Sequence, residues 1–595
     1  MAQQIYPIAE KRTQIPGSIA DNPAESFGYA LVNPEFTDWS LNLTLAAMFA
    51  RSNTENCNVL VIDDIASMRS QIVTTLNPLG FRNVWSVKNC EQALRYIHET
   101  RFDLILCDYH LGEITSGQQF LEHLRSHDLI PTSTVFMMIT ARRAYEDVMR
   151  VAECAPDDYL AKPFTGAQLD SRIARLFARR NRLSLIHEAL FTNDWFLAIK
   201  HCDQIIASRD RFALDAIKLK GIALLGAQEF AAAETLYRSV LAKRPLGWAR
   251  FGLGKVLKAT QQLAAAEAQF TAIIAEGAKN AAADRMGAYD ELIEILQNSD
   301  REKEALSVAK DAMEVSPGTL ARARVLTRLA VAEGEIDIAE KTVRTLVANN
   351  KFSQVKESSD YLMAADVLTV TGQTDEALAT INQVRDSFDQ PADAQTLAIA
   401  EATVQLAAGN THLAEKLIQS LPPDAASNLP ASAAAALGKS LYQLGDAESA
   451  SRIMRHLIQN NPDNKDVVRT VHAAMSGAGM QDQVKAFVEA SIKEVAELND
   501  EGVRLAYAGQ LDEAIELLTR AADMLPGNMQ FVSNAALVIA LSLTKTGMNE
   551  ERLEICLRYR ESLLAQQPNH RKIPQIDYLL QELQDQLDDA ASRRA

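Results

Sequence analysis

Five polar residues between positions 63 and 162 are spaced so that they could do chemistry together. Each stands at the downstream end of a short apolar run: Asp63 and Asp64 after Val-Leu-Val-Ile, Asp108 after Leu-Ile-Leu-Cys, Thr140 after Val-Phe-Met-Met-Ile, and Lys162 after Tyr159-Leu-Ala. Open α/β sheets build their sites there, at the carboxyl ends of strands. Three carboxylates brought within a few ångströms repel one another unless they share a cation. Hard oxygen ligands with little room suit Mg2+, which keeps several waters and bridges to a phosphate. Lys162 adds a fixed positive charge at the same rim, and Thr140 adds a hydroxyl donor. That set suits phosphoryl transfer, where positioning and charge neutralisation supply most of the catalysis. An aspartate can itself be the nucleophile and carry an acyl phosphate.

Such a site demands strands separated by crossovers. Val59–Asp63, Val84–Val87, Leu104–Asp108 and Val135–Thr140 are short β-branched or aromatic runs, and Tyr159–Lys162 is a fifth. Helical stretches alternate with them at Met68–Leu79, Glu91–Glu99, Gly117–His127, Ala144–Cys154 and Gln168–Arg179. The alternation predicts a doubly wound α/β parallel sheet, and right-handed crossovers leave few topologies for it.

Strand signals end near 184, and Ala- and Leu-rich helical pieces take over. Gly221, Ala233 and Pro245 are evenly spaced, and so are Gly438, Ala450 and Pro462, and Gly502, Ala514 and Pro526. Partial copies occur at Gly254/Ala266 and Ala305/Pro317. Degenerate ones can be drawn around Ala198, Ala339, Ala377 and Ala414. A large residue follows the Ala by one helical turn: Tyr237, Phe270, Met454, Leu518. Small residues let two helices of a hairpin cross closely, and Pro ends the second helix because it cannot continue the hydrogen-bond ladder. The repeat predicts about nine or ten helical hairpins over 184–570. It closes with a capping segment, 571–595, whose helix Ile576–Ala591 carries one leucine stripe. The pattern resembles the tetratricopeptide repeat, although the consensus Trp is missing from most copies.

The remaining composition bounds the alternatives. The chain has 595 residues, is 47% hydrophobic and 23% charged, and carries a formal charge of −17. That is ordinary for a folded soluble protein, and it argues against broad binding to a phosphate backbone. Six cysteines without a CxxC spacing suggest reduced, buried thiols in a reducing compartment. No secretory leader and no membrane-spanning run are evident, so a cytoplasmic location is expected. Residues 1–55, with Pro7, Pro16, Pro23 and Pro34, suggest a flexible leader in which only Trp39–Arg51 could form a helix. His123 and His127 lack a third ligand and read as a solvated face; His187 reads as structural. The basic run Arg172, Arg175, Arg179, Arg180, Arg182 reads as solvated charge favouring the C-terminus of its helix.

Taken with Tyr159 and Lys162–Pro163, the acidic pair, Asp108 and Thr140 make residues 57 to about 180 resemble the receiver domain of bacterial two-component response regulators. The resemblance implies a flavodoxin-like receiver domain over 56–180, with strand order 2-1-3-4-5. It implies that Asp108 accepts phosphate from a sensor histidine kinase or phosphotransfer protein. Mg2+ would be held by Asp64, Asp108 and the backbone carbonyl of His110, with Asp63 acting through water. Thr140 and Lys162 would hold the phosphoryl oxygens, and Ala141 would leave room for the group. Tyr159 would be an aromatic switch, and Lys162–Pro163 a cis peptide. The loop after Asp108 reaches Gly117 one residue later than the family's common form, and His110 and Arg142 occupy positions that tune autodephosphorylation.

The expectation is therefore a phosphorelay signalling adaptor. Phosphorylation would shift an existing equilibrium at the face made by the fourth helix, fifth strand and fifth helix, and the repeats would bind a protein ligand in their groove. No enzymatic output is expected beyond the receiver's own phosphorylation and dephosphorylation. The alternatives are a hidden nucleic-acid-binding or catalytic output, or a phosphate sink whose array inhibits the receiver or forms a homodimer.

Overall fold

The computed structural model describes residues 54–111, 117–126, 129–131, 133–141, 156–277, 282–316, 319–350, 357–388, 390–423, 425–567 and 570–594. Outside them lie the leader helix expected at Trp39–Arg51, the helix expected at Ala144–Cys154, and Arg142, Cys154, His127 and Pro317.

The first region is a five-stranded sheet: β1 (Asn58–Ile62), β2 (Asn83–Val87), β3 (Leu104–Asp108), β4 (Val135–Ala141) and β5 (Asp158–Lys162). All neighbours are parallel and the order is β2-β1-β3-β4-β5, as expected. Its described helices are α1 (Ala66–Leu76), α2 (Cys90–Glu99), α3 (Gly117–Ser126) and α4 (Gly166–Phe191). Alternate strand residues feed two separate cores. Leu60, Ile62, Ile105, Phe136 and Met138 pack with α2 and α3 on one face. Val59, Val61, Leu106, Met137 and Leu160 pack with α1 and α4 on the other. Burial on both faces is why the inner strands β1, β3 and β4 read as near-continuous apolar runs.

The last helix of this first region does not stop near Arg179. It opens on a capping box, in which Thr165 Oγ1 accepts from Gln168 N–H and Gln168 Oε1 accepts from Thr165 N–H. No Gly or Pro interrupts it, and it runs for 26 residues to Phe191. Leu169, Ile173, Leu176 and Phe177 face the sheet. Leu183, Ile186 and Ala189 face the next helices. One helix is thus the end of the first region and the start of the second, across the boundary expected at 180–184.

From Trp195 to Arg594 the described residues form helices that pack on their sequence neighbours. Short connections make those neighbours antiparallel. The turn inside each hairpin carries one residue at positive φ: Asn193, Gln228, Gln261 and Asp300, then Gly334, Gly372, Gly409, Gly445, Gly479 and Gly509. These mark ten successive hairpins among the described residues. An eleventh pair, Met529–Thr546 with Glu550–Gln566, follows, and Ile573–Arg594 closes the array. The repeat's small residue has a sharper role than the close crossing of helices. A Cβ on Gly254 would lie 2.6 Å from the Phe270 ring, one on Gly438 2.7 Å from Met454 Cε, and one on Gly502 2.5 Å from Leu518 Cδ2. The Gly is the seat of the large residue that follows the Ala, so the two positions form one lock.

Candidate functional site

The site forms where neighbouring strands end. Ile62 of β1 lies opposite Cys107 of β3, so Asp63 falls beside Asp108. Asp108 lies opposite Ile139 of β4, and Ala141 of β4 lies opposite Lys162 of β5. Thr140, fully buried, ends up on the strand between Asp108 and Lys162. The register alone gathers residues a hundred positions apart.

Lys162 Nζ donates to Asp63 Oδ2 at 2.9 Å and to Asp108 Oδ2 at 2.8 Å. Asp63 Oδ1 accepts from the Ile65 N–H at 2.9 Å. Asp63 and Asp108 are buried and Asp64 is exposed. One oxygen from each of the three lies within 4.8 Å of the others. This is an all-oxygen donor set, buried on one side and open to solvent on the other. It fits a hard divalent ion that keeps part of its water. Burial pushes the Asp108 carboxyl above the ordinary carboxylate range, against the opposing pull of Lys162 and of the His110 N–H. For Lys162, burial alone would lower the pKa, but the hydrogen bonds to Asp108 and Asp63 outweigh it and hold the ammonium above an ordinary lysine. A charged lysine between two carboxylates lets both stay buried.

Two supporting residues were not singled out as such in the sequence. Arg69, one turn into α1, donates to the backbone carbonyls of Asp63 at 2.7 Å and Asp64 at 3.1 Å, bracing the turn that aims the acidic pair. Gly117 opens α3 so close to the site strand that a Cβ would run into the Asp108 carbonyl, Met138 Sδ and Cys107 Sγ. An arginine after an acidic turn has no signature of its own, whereas the glycine was visible and only its reason was missing. Tyr159 is buried in the apolar cluster of Phe120, Phe136 and Met138, turned inward. The Lys162–Pro163 peptide is cis. The loop 112–116 and the side chains of Ala141 and His123 lie outside the described residues. Among the described residues the cysteines are buried free thiols, and burial raises each of their pKa values.

The basic run corrects an expectation. Because α4 continues to Phe191, these arginines sit in its middle, away from any terminal carbonyls, and each is paired. Arg172 and Arg175 hold Asp158 at 2.6 and 2.7 Å, and Arg180 holds Asp103 at 2.6 Å, all within the sheet region. Arg182 holds Asp210 at 2.6 Å in the helical region. Arg179 reaches both, with Asp215 at 2.8 Å and Asp157 at 3.7 Å. His187 lies half-buried at the same junction. Burial, with Arg179 and Arg125 nearby, pulls its pKa down to about 4, so it is neutral at pH 7.

Among the described residues no helix is long and apolar enough to cross a membrane. The response regulator receiver domain family matches residues 59–174, and the tetratricopeptide repeat family matches 218–281. The chain is 29% identical over 123 residues to the chemotaxis protein CheY of Pseudomonas aeruginosa, covering 21% of this chain and 98% of that protein. It is 35% identical over 121 residues to the phosphate regulon transcriptional regulatory protein PhoB of Escherichia coli, covering 20% of this chain and 52% of that protein. A solved receiver domain of a Francisella response regulator is 27% identical, with 21% of this chain and 98% of that one covered and a TM-score of 0.19. The chain therefore carries a response-regulator receiver domain followed by tetratricopeptide repeats.

Proposed function

We propose that Asp108 accepts a phosphoryl group from a sensor histidine kinase or phosphotransfer protein, and that the state of Asp108 controls which protein the repeat array binds. The observation that carries this reading is Lys162 bridging Asp63 and Asp108 inside the three-carboxylate cluster. An Asp108 oxygen attacks phosphorus while the bond to the donor's histidine nitrogen breaks, and Lys162 and Thr140 receive the phosphoryl oxygens. Asp64, Asp108 and the His110 carbonyl, with Asp63 through water, would hold Mg2+, which when bound supplies charge neutralisation for the transferred group. No other reaction is assigned to the chain.

The route outward starts beside Tyr159. The neighbouring residue, Asp158, is gripped by Arg172 and Arg175 of α4, and α4 is also the first helix of the array. A shift of β5 that accompanies phosphorylation would move the array's first hairpin without a flexible joint. Hydrogen exchange of the full chain, with and without beryllofluoride and Mg2+, tests this. Changed protection over 166–191 and 213–226 is expected for the native chain and not for Asp108→Asn. Identical exchange in both would sink the regulated output. A titration with labelled DNA and RNA at low salt tests the nucleic-acid alternative, for which no binding is expected.

A further inference from the structure

Contacts within a repeat array normally join sequence neighbours, because each hairpin touches only the next. Two sets here do not: Asn460 and Gln459 meet Gly527 and Asn528 across 67 and 69 residues, and another set reaches much farther. Lys465 Nζ donates to the Asn298 carbonyl at 3.1 Å, across 167 residues of chain. Arg469 Nη1 donates to the Gln297 carbonyl at 3.4 Å, across 172 residues. Arg328 lies 3.8 Å from Asp466, which Arg469 also grips at 2.7 Å. Further round the coil, Lys439 pairs with Asp366 at 3.0 Å, 73 residues away. Arg328, Asp366 and Lys439 each follow directly the small repeat residue twelve before the repeat's Ala (Thr327, Ala365, Gly438), so they project from the same face of three first helices, Leu320–Ala332, Ser358–Val370 and Ala431–Gln443. Residues at that position that meet across the coil must line its inside.

The chemistry of the contact is coherent. Gln297 and Asn298 end the helix Ala282–Asn298, so their carbonyls belong to the negative end of a helix dipole. They receive two cations from the first turns of Lys465–Gly477, whose own N-terminus, the positive end, is capped by Asn464. Two helix ends of opposite sign thus face each other with a lysine and an arginine between them. The partners are open to water, with Arg328 and Asp466 side chains 46% and 58% exposed, so each contact is weak and sensitive to salt.

We propose that the array is clasped shut on itself, with Lys465, Asp466 and Arg469 holding the helix end at Gln297–Asn298 and Arg328, and that opening this ionic clasp uncovers the inner face of the intervening repeats. A partner that enters that face must compete with the clasp. The clasp involves no receiver residue, so its test stands or falls independently of Asp108 chemistry. Small-angle scattering of the full chain at low and high NaCl reads it. At low salt the native chain is expected to be compact and Lys465→Glu/Arg469→Glu extended, with a longer maximum dimension and unchanged helicity. High salt should extend the native chain and erase the difference, while Lys465→Arg/Arg469→Lys should stay compact. Arg328→Asp should loosen the coil, and Arg328→Asp/Asp466→Arg should close it again. Equal dimensions for the native chain and the double-glutamate variant at low salt, both folded, would overturn the proposal.

Discussion

The receiver and the array solve opposite electrostatic problems. The receiver concentrates charge: two buried carboxylates share one lysine within 3 Å at the end of an apolar sheet. The array mostly disperses it, in pairs such as Arg301 with Glu267 and Glu304, or Arg344 with Glu340 and Glu376, that run along an exposed surface, and its buried Asp360 is matched by Arg324 at 2.6 Å. Its interior is held instead by shape, glycine against ring or thioether. A buried charge cluster is costly to assemble and is therefore informative about chemistry. A steric lock is inexpensive and repeatable, and it yields length rather than reactivity.

If that contrast holds, Asp108→Asn should abolish labelling by acetyl phosphate, read on a phosphate-affinity gel, while array helicity stays intact; loss of helicity would break the separation. Next, Lys162→Met leaves two buried carboxylates without their cation and should destabilise the receiver by about 3–5 kcal/mol. Denaturant melts with and without Mg2+ should show partial rescue by the ion; no change in either would deny the lysine its role. Smaller still, Gly254→Ala drives a Cβ into a rigid ring and should cost the array about 1–3 kcal/mol. Gly438→Ala should cost less, because Met454 can bend away.

The junction offers a pH reading of the same contrast. His187 has its folded pKa pulled down to about 4 from 6.5. The unfolded chain therefore binds the extra proton between those values, and stability rises with pH across that window. The contribution is fully present above 6.5 and lost as pH falls toward 4, on the order of 1–3 kcal/mol. His187→Phe should flatten that slope in melts followed at the junction. The smallest effect is expected at Gln261, which holds φ at 62° in a hairpin turn where later repeats have glycine. Gln261→Gly should stabilise by about 0.5–1 kcal/mol, the left-handed strain less the glycine's entropy, visible as a modest rise in Tm.

Much of this was legible because it follows from period and placement. Apolar runs ending in Asp63, Asp108, Thr140 and Lys162 predicted both the sheet and the gathering of those residues, since parallel register does the rest. The Gly–Ala–Pro spacing predicted hairpins. The illegible parts depend on contacts across the sequence. Nothing in Arg179–Arg182 says that each side chain meets an aspartate from a different element. The end of α4 was misplaced because the change from sheet-facing to array-facing residues, Phe177 to Leu183, alters the partner without altering the helical period. The repeat positions were read correctly, but the pairing of each Gly with the large side chain sixteen residues on is a three-dimensional fact. The clasp at Lys465 and Arg469 has no local signature, since exposed cations at a helix start are ordinary.

The uninterrupted α4 makes the molecule a phase-locked fusion. Each residue added between Arg182 and Leu183 would turn the whole array by about 100° and advance it by about 1.5 Å relative to the receiver. Insertions of one or two residues would tear Arg179 and Arg182 from Asp215 and Asp210, whereas about seven would restore the azimuth to within about 20°. A receiver grafted onto these repeats would thus have to match them in helical angle as well as in sequence, as a gear must match in tooth position before it can turn its neighbour.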